Sequence, residues 1–234
     1  MYRVKIIRLH HLIFSVLLIA SIGSVDAQYS IWSFRAGPSL GFQRWNGLGS
    51  TLPLLGYHGI VGVESYEPGK TSAFYAELGY HQRGSSRHVP AFQASNGINY
   101  DAYTIRNIFH NVGIALGGRK TFGSKNQFFY NLALRGEYTV KSQLSLSYIG
   151  FTDFVKKFNY GLDVGAGYNF PVGFHMGFVT IQLQPDLSKQ IWSERFRGQD
   201  YQGNTFIFPE QKVINYTFEL SLGIRIWGNL IPEE

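Results

Sequence analysis

Ile214-Asn215-Tyr216-Thr217-Phe218-Glu219-Leu220-Ser221-Leu222-Gly223-Ile224-Arg225-Ile226 is the stretch on which the fold turns. Ile214, Tyr216, Phe218, Leu220, Leu222, Ile224 and Ile226 alternate with Asn215, Thr217, Glu219, Ser221, Gly223 and Arg225. A period of two sends the first set to one face of a β-strand and the second to the other. The scheme recurs at 158–170, where Phe158, Tyr160, Leu162, Val164, Ala166, Tyr168 and Phe170 alternate with polar residues and glycine. A third copy at 128–141 sets Phe128, Tyr130, Leu132, Leu134, Tyr138 and Val140 against Asn131, Arg135, Glu137, Thr139 and Lys141. Weaker matches at Trp32–Arg44, Tyr57–Tyr66, Ala73–Arg83, Ile105–Lys120 and Met176–Gln190 bring the expected total to eight strands. One of them is irregular. Sending Ile108, Val112, Ile114 and Leu116 to the apolar face leaves His110 with them and Phe109 opposite, which predicts a β-bulge nearby.

The apolar faces are layered. Val61, Leu78, Ile114, Leu134, Val164, Ile181 and Leu222 fall near strand centres. Trp32, Phe34, Phe74, Phe128, Tyr168 and Phe170 fall at one end, and Phe42, Tyr57, Tyr80, Tyr138, Phe158 and Tyr216 at the other. A soluble β-sandwich buries its apolar faces and has no use for two aromatic belts, whereas a membrane barrel turns them to lipid and places aromatics at both interfaces. Aromatic residues make up 16% of the chain and charged residues only 15%, well below the roughly 25% usual in soluble domains. The absence of cysteine excludes disulfides, thiolate metal sites and a lipid-modified N-terminal Cys.

The N-terminus carries Arg3, Lys5 and Arg8, then an apolar run from Leu12 to Val25, then Val25-Asp26-Ala27. Fourteen residues interrupted by Ser15, Ser21, Gly23 and Ser24 fall short of the roughly 20 that a spanning helix needs. The pattern predicts a signal peptide over 1–27 cleaved before Gln28, a barrel over 28–228 and a short periplasmic tail over 229–234. Cleavage removes three basic residues and one acidic one, taking the formal charge from +6 to +4, a balance suited to an acidic lipid surface and no sign of nucleic-acid binding. Short turns are expected at Glu67-Pro68-Gly69-Lys70, Gly123-Ser124-Lys125-Asn126 and Pro171-Val172-Gly173. Longer connections are expected at about 45–55, 84–103, 142–156 and 191–212, and these should face outside, with both termini periplasmic.

With its signal, its Gln28 start, its opening strand Arg35-Ala36-Gly37-Pro38-Ser39-Leu40-Gly41-Phe42 and its Gly-aromatic alternation, the chain resembles the small OmpA/OmpX-like eight-stranded outer-membrane barrels over about residues 28–228. The resemblance implies an all-β, antiparallel up-and-down barrel in the outer membrane of a Gram-negative-type bacterium, in contact with lipid and with the barrel-assembly machinery. Such barrels often finish on an aromatic residue, whereas here Trp227 is followed by Gly228-Asn229-Leu230-Ile231-Pro232-Glu233-Glu234, which points to Trp227 as the assembly signal.

Alternation sends Arg35, Arg83, Arg135 and Arg225 inward with Glu64, Glu77, Glu137, Asp163 and Glu219. In so narrow a barrel these charges are expected to pair and plug the lumen, with inward Gly37, Gly62, Gly79, Gly113, Gly165 and Gly223 making room for their stems. An ion pathway is the alternative. His81, Ser85, Ser86 and His88 offer a hydrolase reading, but there is no G-x-S-x-G elbow and no acid at a defining spacing; two histidines make no metal site without a third ligand. The segment 191–212 mixes Trp192, Phe196, Tyr201, Phe206 and Phe208 with Arg195 and Arg197, residue types that anchor contact surfaces. The expectation is therefore a non-enzymatic, cofactor-free barrel of the cell envelope with a structural or partner-binding role through its outer loops. A narrow porin-like channel is the second reading and a lipid-modifying enzyme the third.

Overall fold

The computed structural model describes residues 29–46, 51–94, 97–145, 151–199 and 205–228. The expected signal peptide and the tail after Gly228 lie outside the described residues. The strands are β1 (Tyr29–Trp45), β2 (Leu52–Tyr66), β3 (Ser72–Val89), β4 (Phe92–Gln93), β5 (Asn99–Tyr100), β6 (Tyr103–Phe122), β7 (Phe128–Gln143), β8 (Phe158–Val172), β9 (His175–Pro185), β10 (Ile191–Ser193), β11 (Phe196–Gln199), β12 (Thr205–Phe208) and β13 (Gln211–Gly228). Each long strand pairs antiparallel with its neighbour in the order β1-β2-β3-β6-β7-β8-β9-β13, and β13 returns to β1 from Ser30↔Gly228 to Trp45↔Val213. This closed ring of eight strands leaves no open edge, the condition for backbone polar groups to sit in lipid.

The side chains follow the expected parity. On β13, Thr217, Glu219 and Ser221 are buried while Tyr216, Phe218, Leu220 and Leu222 are exposed. Both predicted aromatic belts lie on the outer surface, from Trp32, Phe74 and Phe128 near one end to Phe42, Tyr57 and Phe158 near the other.

At the turn end, Pro68 and Gly69 (φ +82°) occupy the two central positions of a turn closed by Lys70 N–H donating to Glu67 O at 3.1 Å. Pro fixes φ at the first position and Gly supplies positive φ at the second, the chemistry of a type II turn. The third turn differs from expectation. Pro171 and Val172 remain in β8, paired with Met176 and His175, and the chain reverses at Gly173 (φ +58°) and Phe174.

At the loop end much of two expected connections, 84–103 and 191–212, is strand. Pairing of β3 with β6 continues to Val89↔Tyr103, so most of 84–103 is a β-ribbon tipped by the β4–β5 pair. β9 stops at Pro185 instead of reaching Gln190; residues 186–190 leave the wall, and β10 resumes the pairing with β13 at Ile191↔Val213. Asp186 N–H and Gln190 N–H still donate to Asn215 O and Val213 O, which ties this wide bulge to the ring. The register shift near His110 is present, but the extra residue, Val140, belongs to β7. The bulge turns Lys141, expected on the inward face, out to the surface, while β6 alternates without a break and Phe109 points inward, where it packs with Trp45, Ile105, Ile191 and Val213 in an apolar cluster that caps the lumen.

Candidate functional site

Inward parity concentrates the ionic residues in the lumen, and every one of the expected interior charges is buried there: Arg35, Arg83, Arg135, Arg225, Glu64, Glu77, Glu137, Asp163 and Glu219. Arg135 is the hub. Its guanidinium lies 2.7 Å from Glu137, 2.8 Å from Asp163 and 2.8 Å from Asp186. Glu137 also accepts from Arg83, at 2.8 Å, and Arg83 donates onward to Thr217 and Gln184. Room for this comes from glycine: a methyl at Gly161 would meet Arg135 Nη2 at 2.7 Å, and one at Gly113 would meet Glu137 Cγ at 2.7 Å.

Nearer the turn end Arg35 pairs with Glu77 at 2.7 Å, and Glu64 takes a hydrogen bond from Arg119 with Arg225 3.7 Å away. Toward the loop end the charges give way to amides: Gln43, Asn159, Gln190 and Asn215 hydrogen-bond one another and Thr139 beneath the apolar cap. The void beside Arg135, Asp163, Glu77 and His81 measures about 10 Å³, room for about one water and not for a continuous file of them.

Glu219 departs from expectation. Its partners are histidines, with His81 Nδ1 at 2.7 Å and His58 Nδ1 at 3.8 Å, while Arg225 on the same strand points to Glu64. The two imidazoles stack at 6.1 Å, and His58 Nε2 meets Ser221 Oγ at 2.7 Å. Glu219→Ala is consequently expected to be milder than loss of an arginine's partner. Imidazole can release its proton and stay neutral, whereas guanidinium cannot. A loss of about 1–3 kcal/mol, read from the denaturant midpoint, matches orphaned but neutral polar groups; a larger loss would mean that the histidines are held charged.

The residues of the hydrolase reading are scattered. His81 is in mid-lumen on Glu219, Ser85 Oγ donates to Gln43, Ser86 Oγ donates to the Pro53 carbonyl outside, and His88 is exposed. Ser221 and His58 do meet, but Glu219 stands 3.8 Å from His58 Nδ1 without a hydrogen bond to it, and all three residues are at most 2% exposed.

Several lumen residues escaped the sequence reading. His58 and Arg119 obey the same parity as Glu64 and Arg83 and were legible from it. Asp186 and Gln190 were legible too, since with Gln182 and Gln184 they are even, inward positions of the expected strand Met176–Gln190; what parity did not show is that 186–190 leave the wall.

At the loop end, Trp192 Nε1 donates to Glu210 at 3.0 Å, and its ring lies under Lys189 Nζ at 4.9 Å and Lys156 Nζ at 5.4 Å. Hydrogen bonds from Lys212 and Trp192 hold the Glu210 carboxyl below the usual carboxylate range. Arg195 and Arg197 are exposed. Phe196 pairs with Phe208 across the β11–β12 hairpin, and Phe206 pairs with Gly198. Tyr201 lies outside the described residues.

A closed ring, apolar outside and ionic inside, inverts the plan of a soluble protein. The chain has the fold of a small outer-membrane β-barrel. No protein-family model and no characterised protein sequence matches it. Among solved structures, it is similar to Ail, the attachment invasion locus protein of Yersinia pestis, in complex with the heparin analogue sucrose octasulfate, at 14% identity over 84% of this chain and 99% of that one, with a TM-score of 0.39. It is also similar to the outer membrane protein OprG of Pseudomonas aeruginosa, at 8% identity over 84% and 96%, with a TM-score of 0.46. A third is Escherichia coli outer membrane protein W, at 10% identity over 86% and 100%, with a TM-score of 0.39. These are likenesses of architecture; the fold of the barrel rests on its own β1–β13 closure.

Proposed function

We propose that this barrel is a non-conducting, non-enzymatic outer-membrane protein, turn end periplasmic, that serves as an envelope scaffold and binds a partner through its loop end. The observation that carries this reading is the filled lumen: arginines and carboxylates paired across it, a 10 Å³ void where a channel would run, and an apolar cap above. The sign of the partner follows from the surface. At the loop end Arg44, Arg87, Arg106, Lys141, Lys156, Lys157, Lys189, Arg195, Arg197 and Lys212 stand against Asp101, Asp153, Glu194 and Glu210 among the described residues. A surplus of this kind favours a polyanionic partner, such as a sulfated or phosphorylated glycan.

Two measurements test the proposal. Refolded protein in a planar bilayer is expected to give no steady conductance; stable open levels would make the narrow channel the better account. On a gel the unheated protein is expected to migrate differently from the boiled one, because a closed hydrogen-bonded ring resists detergent unfolding. Identical migration, with a circular-dichroism spectrum that lacks β structure, would remove the barrel itself.

A further inference from the structure

The two ends of the lumen differ. The loop end is capped, whereas at the turn end the barrel opens into a vestibule of about 710 Å³ among the described residues, a size typical of small-molecule sites. Its inner surface includes Arg225, Glu64 and Asn169, and its walls include Tyr66, Phe170 and Trp227. Behind this floor, Phe129 lies close to two guanidiniums, with Arg119 Cζ at 4.8 Å and Arg225 Cζ at 5.0 Å from its ring centre, and Arg225 also lies 4.7 Å over Phe178.

The charges here do not balance. Among the described residues Arg119 and Arg225 share Glu64 as their one ion-pair partner, while Glu77 is engaged by Arg35. Arg225 has one nitrogen on Asn169 Oδ1 at 2.9 Å, and its Nε and Nη2 have no hydrogen-bond partner. A surplus positive charge on a side chain only 5% exposed, at the floor of an open cavity, calls for an anion from outside. The aromatic walls add a second requirement. Tyr66 and Trp227 meet edge to face at 4.7 Å and offer apolar surface to a flat body.

We propose that the turn-end vestibule is a binding site for a small organic anion, one carboxylate or sulfonate on a flat apolar body, with its head toward Arg225 and its body against Tyr66 and Trp227. This site is independent of the loop-end partner, and its occupancy does not require a conducting lumen.

The test uses the full mature chain refolded and transferred to amphipol, with 2-naphthoate and its neutral counterpart 2-naphthamide as probes in equilibrium dialysis against protein-free amphipol. Wild type is expected to retain naphthoate about tenfold more tightly than naphthamide, and Arg225→Gln to abolish the preference. Because Arg225 is buried, a second variant guards against simple misfolding. Ala73 lines the vestibule, and Ala73→Trp fills it while leaving every charge in place. That variant is expected to keep its heat-dependent gel shift and to lose naphthoate binding about tenfold. Equal retention of the two probes by wild type, or naphthoate binding unchanged in a folded Ala73→Trp, would overturn the proposal.

Discussion

Arg135→Met is expected to destabilise the barrel by about 3–5 kcal/mol, or to prevent refolding, the largest effect of any single lumen substitution considered. The side chain is 1% exposed and touches three carboxylates, Glu137, Asp163 and Asp186. Methionine fills a similar length but supplies no donor. Glu137 would keep Arg83, but Asp163 and Asp186 would lose their guanidinium partner in a region where solvation is poor. The reference is Arg197→Met on the exposed β11 strand, where ion pairing is screened and a change below about 1 kcal/mol is expected. Urea midpoints of both variants in the same lipid decide the matter. If Arg135→Met unfolds with wild type, water reaches the carboxylates, and the plug is a wet channel.

Leu222→Arg is expected to cost about 2–4 kcal/mol by a different route. Leu222 is 63% exposed on the outer surface, paired with Ala36 and Val179 and placed along β13 between Tyr216 of one aromatic belt and Ile226, which pairs with Trp32 of the other. An arginine there must drag its charge into hydrocarbon or bend toward an interface. The neighbouring Ser221→Arg should instead act by crowding, since Ser221 is 1% exposed and its hydroxyl is 2.7 Å from His58. The two are separable by varying lipid thickness: the Leu222→Arg penalty should shrink in thin bilayers and the Ser221→Arg penalty should not. Thickness-independent behaviour at both positions would mean that Leu222 does not face lipid.

Much of this architecture was legible because a strand in a membrane barrel obeys one strict local rule. Alternation along 214–226 assigned Glu219 and Arg225 to the lumen and Leu222 to lipid, and Pro68-Gly69 marked a turn that Gly69 closes at φ +82°. The same rule sufficed for Arg83 and Arg135, and it extends without change to His58 and Arg119. It failed where the count of residues slips. The break over 186–190 leaves the consecutive Gln190 and Ile191 both buried, and the extra Val140 on β7 turns Lys141, which alternation set with Arg135 and Thr139, outward.

Alternation within single segments suffices for the number of membrane strands, the face of a side chain wherever the count of residues does not slip, and the ionic character of the interior, because those properties depend on parity within one strand. Which charges meet depends on the closed ring. Glu219 finds His81 on β3 while Arg225, six residues along the same strand, finds Glu64 on β2, and the register of eight strands around the ring sets both distances. The loop-end cap and the turn-end vestibule are decided there as well. Ile191 and Phe109 lie 82 residues apart in the chain and come together only once the ring closes, whereas at the other end the tight turns among the described residues do not cross the lumen over Arg225.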